Sequence, residues 1–311
     1  MCTAVLAAAV ALLSGVLAAI GPAQADTTPA DLIVGSFNVK NPHTTSGAPW
    51  SQRLPVIVRD IKEEWLDVVA VQEIYRASDR EDFLSYLQTN GRPDYVMWPD
   101  ANDSDGYDNR FVYRTSKVEF VRGGTLKYSK QVAGDSLRWM DWGLFKLKAN
   151  GHHFFFASTH LAPGDDYVDQ KQWEQLIAEV TRRNADPKAP VIVVGDFNTS
   201  KFQIPANTML ANMRAAGYGD VLGQVYKTYS TYKQRAVTQI DVRVNSFNDY
   251  DPVVAHHMVG AGRVGNNVDW VFAWNSLQVP RWRTVIHQKN GVLTSPIPSD
   301  HNLVTARLKL P

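Results

Sequence analysis

The amino-acid sequence predicts an α/β fold, and three observations carry that expectation. Past Asp26, apolar runs of strand length alternate with stretches of helical period. One strand–helix–strand pattern occurs twice, although no repeat is visible by letter. The chain has 311 residues, 44% of them hydrophobic, enough for one large domain or two small ones, and no linker or low-complexity tract divides it.

The first unit opens with Leu32 to Phe37, a strand ending at Asn38. Leu54, Ile57, Val58, Ile61 and Trp65 follow on one helical face, and Asp67-Val68-Val69-Ala70-Val71 then runs into Gln72-Glu73. Ser78-x-x-Glu81 has the form of a capping box and predicts a short helix through Phe83, Leu84 and Leu87. Further strands are expected from Asn109 to Tyr113, Gly143 to Leu147 and Trp270 to Ala273. In the second unit, Phe154 to Thr159 ends at His160. A helix capped by Asp165-Asp166 then carries Trp173, Leu176, Ile177 and Val180, and Val191 to Gly195 runs into Asp196. Each unit delivers a polar residue at the end of its first strand and a carboxylate at the end of its second. Packed face to face, the two would bring four strand ends to one rim. Residues 236–267 mix Asp, Asn, Gly and His with few apolar pairs, and are expected as a long excursion at that rim rather than a second domain.

Residues 1–25 read as a signal peptide, apolar almost without a break from Ala4 to Ile20 and ending in Ala23-Gln24-Ala25, a small-x-small cleavage pattern. A membrane anchor is the other reading, because a run of roughly 17 residues is the lower limit for a span. Cleavage predicts a secreted domain over 26–311. The sole cysteine, Cys2, lies in the segment to be removed, which excludes disulfides, thiolate metal sites and a cysteine nucleophile from the mature form. With 32 Lys and Arg against 31 Asp and Glu, the net charge of +1 gives no global pull toward nucleic acid or anionic lipid. An anionic substrate has to be held locally.

Residues with chemistry to offer concentrate at the strand ends. Val191-Ile192-Val193-Val194-Gly195-Asp196-Phe197-Asn198 presents a carboxylate and a carboxamide two residues apart, on one side of an extended backbone. A plain turn is the alternative, since Asp and Asn favour turns. Ser299-Asp300-His301 precedes a strand-like Leu303 to Leu310, and alone such an Asp-His pair is more often a satisfied surface pair than a catalytic one. Glu73, Asn38, His160 and Asp269, the last within Asn267-Val268-Asp269-Trp270-Val271-Phe272, complete the set.

In this order and at these strand ends, the six motifs resemble the endonuclease/exonuclease/phosphatase superfamily, from residue 33 to 310. The resemblance implies a four-layered α/β sandwich, two packed, mainly antiparallel or mixed β-sheets flanked by helices, with the active site at one rim. It implies a phosphoesterase dependent on Mg²⁺ or Mn²⁺. Glu73 would be the principal metal ligand, Asn38 would stand beside it, and Asp300 would reach the metal through water. His301 would be the general base that takes a proton from the attacking water, with Asp269 holding its other ring nitrogen. Asp196 would orient the nucleophile or assist the leaving oxygen, and Asn198 and His160 would donate to phosphoryl oxygens. Asn109 resembles the family's Asn-bearing central strand, and Arg110 or Arg114 would reach the phosphate. No obligate protein partner is implied, and a monomer is expected.

These motifs leave the substrate open. A nuclease, a sphingomyelinase-type phospholipase C and a phosphomonoesterase would share this core. A catalytically inactive binding protein would be expected to lack some of Glu73, Asp196, Asn198, Asp269 and His301, all of which are present. Nucleic acid is the expected substrate. Arg281 and Arg283, flanking Trp282, would follow a phosphate backbone, whereas the candidate membrane tip Trp139-Met140-Asp141-Trp142 leads straight into a strand. His152-His153 and His256-His257 match no motif.

Overall fold

The computed structural model describes residues 29–100, 108–185, 188–202, 204–224, 233–234 and 236–311. The expected signal peptide lies outside the described residues. Strands β1 (Ala30–Asn38), β2 (Val68–Gln72), β3 (Tyr95–Trp98), β4 (Arg110–Arg114), β5 (Val118–Lys127), β6 (Trp139–Leu147), β7 (His153–His160) and β8 (Val191–Asp196) make up the first part of the chain. They are followed by β9 (Tyr218–Asp220), β10 (Gly223–Gln224), β11 (Lys233–Gln234), β12 (Thr238–Ile240), β13 (Asp269–Trp274), β14 (Gln278–Thr284), β15 (Gln288–Lys289), β16 (Val292–Leu293) and β17 (Val304–Leu310). The helices are α1 (Trp50–Glu63), α2 (Ala77–Tyr86), α3 (Asp166–Arg183) and α4 (Ile204–Ala215).

Two mixed sheets form the centre. One has the order β12-β14-β17-β1-β2-β4-β3 and the other β5-β6-β7-β8-β13-β9. The two expected units are β1-α1-β2 and β7-α3-β8, each with its strands paired in parallel. Side-chain alternation in their strands explains the layering. Val68 and Ala70 of β2 and Ile192 and Val194 of β8 fill the core between the sheets. Val69 and Val71 pack outward with Leu54, Ile57 and Phe83 from α1 and α2, and Val191 and Val193 pack with Trp173 and Leu176 from α3. A strand covered on both faces needs an apolar residue at every position, so it reads as an unbroken run. The result is helix, sheet, sheet, helix.

Local chemistry sets the element ends, and some expectations change there. Asp165 caps α3 as expected, its carboxylate accepting from the backbone N–H groups of Tyr167 and Val168. Helix α1 stops at Glu63, so Trp65 is not on its buried face. That residue is left-handed (φ 57°) and 57% exposed, with the Arg92 guanidinium 3.7 Å over its ring. Ser78 does not cap α2, which starts at Ala77 with Arg76 at the cap position and no side-chain cap bond. Asp79 of that first turn instead pairs with His43. Trp139 to Trp142 lie in β6, where Met140 and Trp142 are buried and Trp142 stacks on Phe155 at 5.4 Å.

Arg281 and Arg283 do not approach the rim of the sandwich. Both bind the buried carboxylate of Glu64, at 2.5 and 2.6 Å, just past the C-terminal end of α1. The rim lies toward the other end of that helix, where Arg53 donates to the carbonyls of Val39 and Asn41. Eleven residues of helical rise separate Arg53 from Glu64, about 16 Å.

Candidate active site

Strand ends from both sheets meet at one place. In register, Asp196 at the end of β8 stands between His160 of β7 and Asp269 of β13. Gly195 permits this approach. Its φ is 151°, and a Cβ there would lie 2.0 Å from the Thr159 carbonyl oxygen. In the facing sheet Asn38 pairs with Gln72, and Glu73 follows with a φ of 66°, a left-handed conformation uncommon for a non-glycine residue. The Asn38 side-chain amide donates to Glu73 Oε1 and to Asp196 Oδ2, both at 3.1 Å, and so ties the two sheets together.

Two histidines converge on Asp196. His301 holds Asp269 Oδ2 through Nδ1 at 2.9 Å and turns Nε2 toward Asp196 Oδ2 at 3.7 Å. His160 holds Asp108 through Nδ1 and turns Nε2 toward the same oxygen at 3.5 Å. All of these groups are buried. In each pair the carboxylate fixes the ring orientation from behind, leaving Nε2 facing the centre.

Several of the supporting residues were not apparent from sequence. Asp108 directly precedes Asn109 and carries no motif, and Arg138 supports it at 3.6 Å. The excursion at 236–267 wraps the rim as expected and supplies Ser246, whose Oγ accepts from the backbone N–H groups of Val268 and Asp269 at 3.0 Å each. It also supplies Phe247, 40% exposed, whose ring meets the His301 ring edge-on with centroids 5.0 Å apart. Ser299 Oγ donates to the Asn38 carbonyl at 2.7 Å and accepts from His301 N–H at 3.1 Å, locking the histidine loop to β1.

The remaining expected residues divide. Asn198 closes a turn, its N–H donating to Asp196 Oδ1 at 2.9 Å and its amide to the Leu161 carbonyl at 2.8 Å. The turn reading and the site reading of this motif are therefore compatible. Asn109 is fully buried, with its amide bound to Asp141, to the Ser158 carbonyl and to the Ser158 hydroxyl. Arg110 is fully buried and donates to the Asn109 carbonyl at 2.8 Å, while Arg114 faces Asp67 and Asp94. Asn109 and Arg110 thus brace the strand beneath the site. Asp300 sits in an ion pair with Lys40 at 2.9 Å.

Electrostatics show what the centre needs. Burial disfavours a charged His301, but the carboxylates of Asp269 and Asp196 outweigh it and push its pKa up to about 10. Burial raises Asp269 to about 6 against the pull of His301. It also opposes the charge on Asp196, which the two histidines nevertheless hold below the usual carboxylate range. Glu73, Asp196, Asp269 and Asp300 together make this rim anionic, so a phosphate ester would be repelled and His301 kept protonated. A divalent cation would correct both. The donors suit one: Glu73 and Asn38 are hard oxygen ligands, and Asp196, Asp269 and His301 bring ligand atoms within 4.8 Å of one another. Because Asp269 already occupies Nδ1 of His301, the Glu73 and Asn38 side is the better fit for an ion.

Comparison with known proteins agrees with this geometry. The family model described as "Endonuclease/Exonuclease/phosphatase family" matches residues 23–301. No curated protein matches the chain. Among solved structures, an endonuclease/exonuclease/phosphatase family protein from Bacteroides thetaiotaomicron is 20% identical, with a TM-score of 0.72, covering 91% of this chain and 96% of that one. A mannosyl-6-phosphatase from the same organism is 21% identical over 89% of this chain and 99% of that one, with a TM-score of 0.69. TDP2 from D. rerio, complexed with single strand DNA product, is 16% identical, with coverages of 90% and 99% and a TM-score of 0.58. At these identities the likeness to solved structures shows a shared fold, while the family model spans most of the sequence. The chain belongs to the endonuclease/exonuclease/phosphatase family, whose members hydrolyse phosphoesters.

Proposed function

We propose that this protein is a secreted, Mg²⁺-dependent phosphodiesterase whose substrate is nucleic acid. The observation that carries the hydrolytic reading is the convergence of His301 and His160 on Asp196, each ring held from behind by a carboxylate. Glu73 and Asn38 would hold the cation, which when bound would neutralise charge on the phosphoryl group and let water approach an anionic ester. His301 Nε2 takes the proton of the attacking water, and Asp269 stabilises the imidazolium that forms. His160 and Asn198 donate to phosphoryl oxygens as charge builds there. Asp196, between the two rings, orients the water against the phosphorus.

Two features favour nucleic acid over a membrane lipid. Phe247 offers an exposed aromatic face beside His301, and a flat base attached to the scissile phosphate can stack on such a face. The candidate membrane tip, Trp139 to Trp142, is part of β6, with Met140 and Trp142 buried rather than offered to a bilayer. The test is hydrolysis of plasmid DNA, RNA and sphingomyelin vesicles by dialysed protein, with Mg²⁺ and with excess EDTA. Nucleic acid should be cut in Mg²⁺ alone. Release of phosphocholine with both nucleic acids intact would assign the site to lipid, and full turnover in EDTA would rule out the metal-dependent mechanism.

A further inference from the structure

The ion pair between Lys40 and Asp300 has no part in the steps above, yet it lies against the residues that bind the cation. Lys40 Nζ is 2.9 Å from Asp300 Oδ2 and 4.0 Å from Glu73 Oε1. The Asp300 side chain is 5% exposed, that of Glu73 15% and that of Lys40 29%, so the pair is partly buried, with the ammonium reaching in from the more open side. The backbone directs the lysine there. Lys40 is left-handed (φ 54°), and its N–H donates to Asn38 Oδ1 at 3.0 Å, which turns the chain sharply after β1. The ammonium therefore stands between the principal metal ligand and the carboxylate expected to face the metal through water.

We propose that Lys40 is a built-in cation that takes the place of a second divalent ion. Two carboxylates a few ångströms apart invite a shared cation, and in two-metal phosphoesterases a second ion fills that need. Here a protein-borne charge does so. It neutralises Asp300, partly screens Glu73 and repels a second divalent ion from the space between them. The centre then holds one ion, at Glu73 and Asn38. This inference rests on the proposed binding of a divalent cation but not on the identity of the substrate.

The test is a count of Mn²⁺ ions bound per chain, by calorimetric titration and by the spin-resonance signal of free Mn²⁺, for the full-length wild type, K40Q and K40R. Wild type and K40R should each bind one equivalent, and K40Q should bind two. Two equivalents in wild type would overturn the proposal, as would a K40Q that still binds one or no longer folds by circular dichroism. DNA cleavage measured alongside separates this result from the functional reading. Protein that binds one Mn²⁺ and cuts nothing loses the assigned activity but keeps the role of Lys40, whereas protein that cuts DNA with two ions bound does the reverse.

Discussion

His301 and His160 face the same oxygen of Asp196 from similar distances, but their surroundings differ. Behind His160, Asp108 is also contacted by Arg138; although burial opposes its charge, the histidine and the arginine hold its carboxyl below the usual range. Behind His301, Asp269 has no such arginine contact among the described residues. It takes a hydrogen bond from His301 at Oδ2, and burial raises its pKa to about 6. His301 is thus surrounded by negative charge that favours proton uptake, while the charge behind His160 is balanced by a permanent cation. The lesson is that matched geometry allows different chemistry. Once a divalent cation offsets that negative charge, the first histidine would be suited to take a proton from water, and the second to donate a fixed hydrogen bond.

The largest effect expected from this difference is on the base. His301→Ala should lower kcat by about 10² to 10⁴ without loss of fold, checked by kinetics and circular dichroism. Near wild-type activity in that variant would reverse the two assignments. Next come the two supporting carboxylates. Asp269→Asn should approach the loss seen for His301→Ala, because an amide can stabilise the wrong tautomer. Asp108→Asn should cost on the order of 10- to 100-fold, as removal of a carboxylate that orients a functional histidine usually does. Equal losses in the two variants would mean that Arg138 makes no difference.

Phe247 packs against His301, so Phe247→Ala sharpens the contrast. If a base stacks there, kcat/KM on a short oligonucleotide should fall roughly 5- to 150-fold, the equivalent of one base–aromatic contact, with most of the change in KM. A drop confined to kcat would show instead that the ring only positions the histidine.

The smallest effect concerns stability behind Asp196. Buried Asp169, which accepts from the Thr199 hydroxyl, has its pKa raised to about 8 from 3.8, first by burial and also by the charge of Asp196. Between those values the unfolded chain is ionised at this residue while the folded chain stays protonated. Stability therefore falls as pH rises through that window and levels off above it. Asp169→Asn mimics the protonated acid and should flatten this decline in urea denaturation at about pH 5 and about pH 8. An unchanged slope would show that Asp169 ionises normally and sits next to Asp196 as a second negative charge.

How much of this was legible in the sequence depended on distance along the chain. Helix caps and strand patterns are local, so the Asp165 cap and the buried runs of β2 and β8 could be read directly, as could the polar residue that each strand presents at its end. The exceptions, Trp65 and Ser78, fell at helix ends, where one left-handed residue or one long-range partner overrides the pattern. Asp269 and His301, weak signals singly, were found because the family resemblance of the whole set of motifs assigned them together. Asp108 was not, because its role comes from His160, 52 residues away, and from a salt bridge to Arg138. Ser246 and Phe247 lay in the excursion between 236 and 267, whose polar composition carries no period. Arg281 and Arg283 looked free to bind phosphate until Glu64, more than 200 residues away, proved to be their partner. By itself the sequence determined the alternation of strands and helices, the two similar units and which strand ends carry chemistry, because burial on one face or both sets the residue pattern locally, while the four layers were implied by the family resemblance. Only the tertiary structure decided which carboxylate stands behind which histidine and which cation stands beside Asp300, because those pairings depend on contacts between segments far apart in the chain.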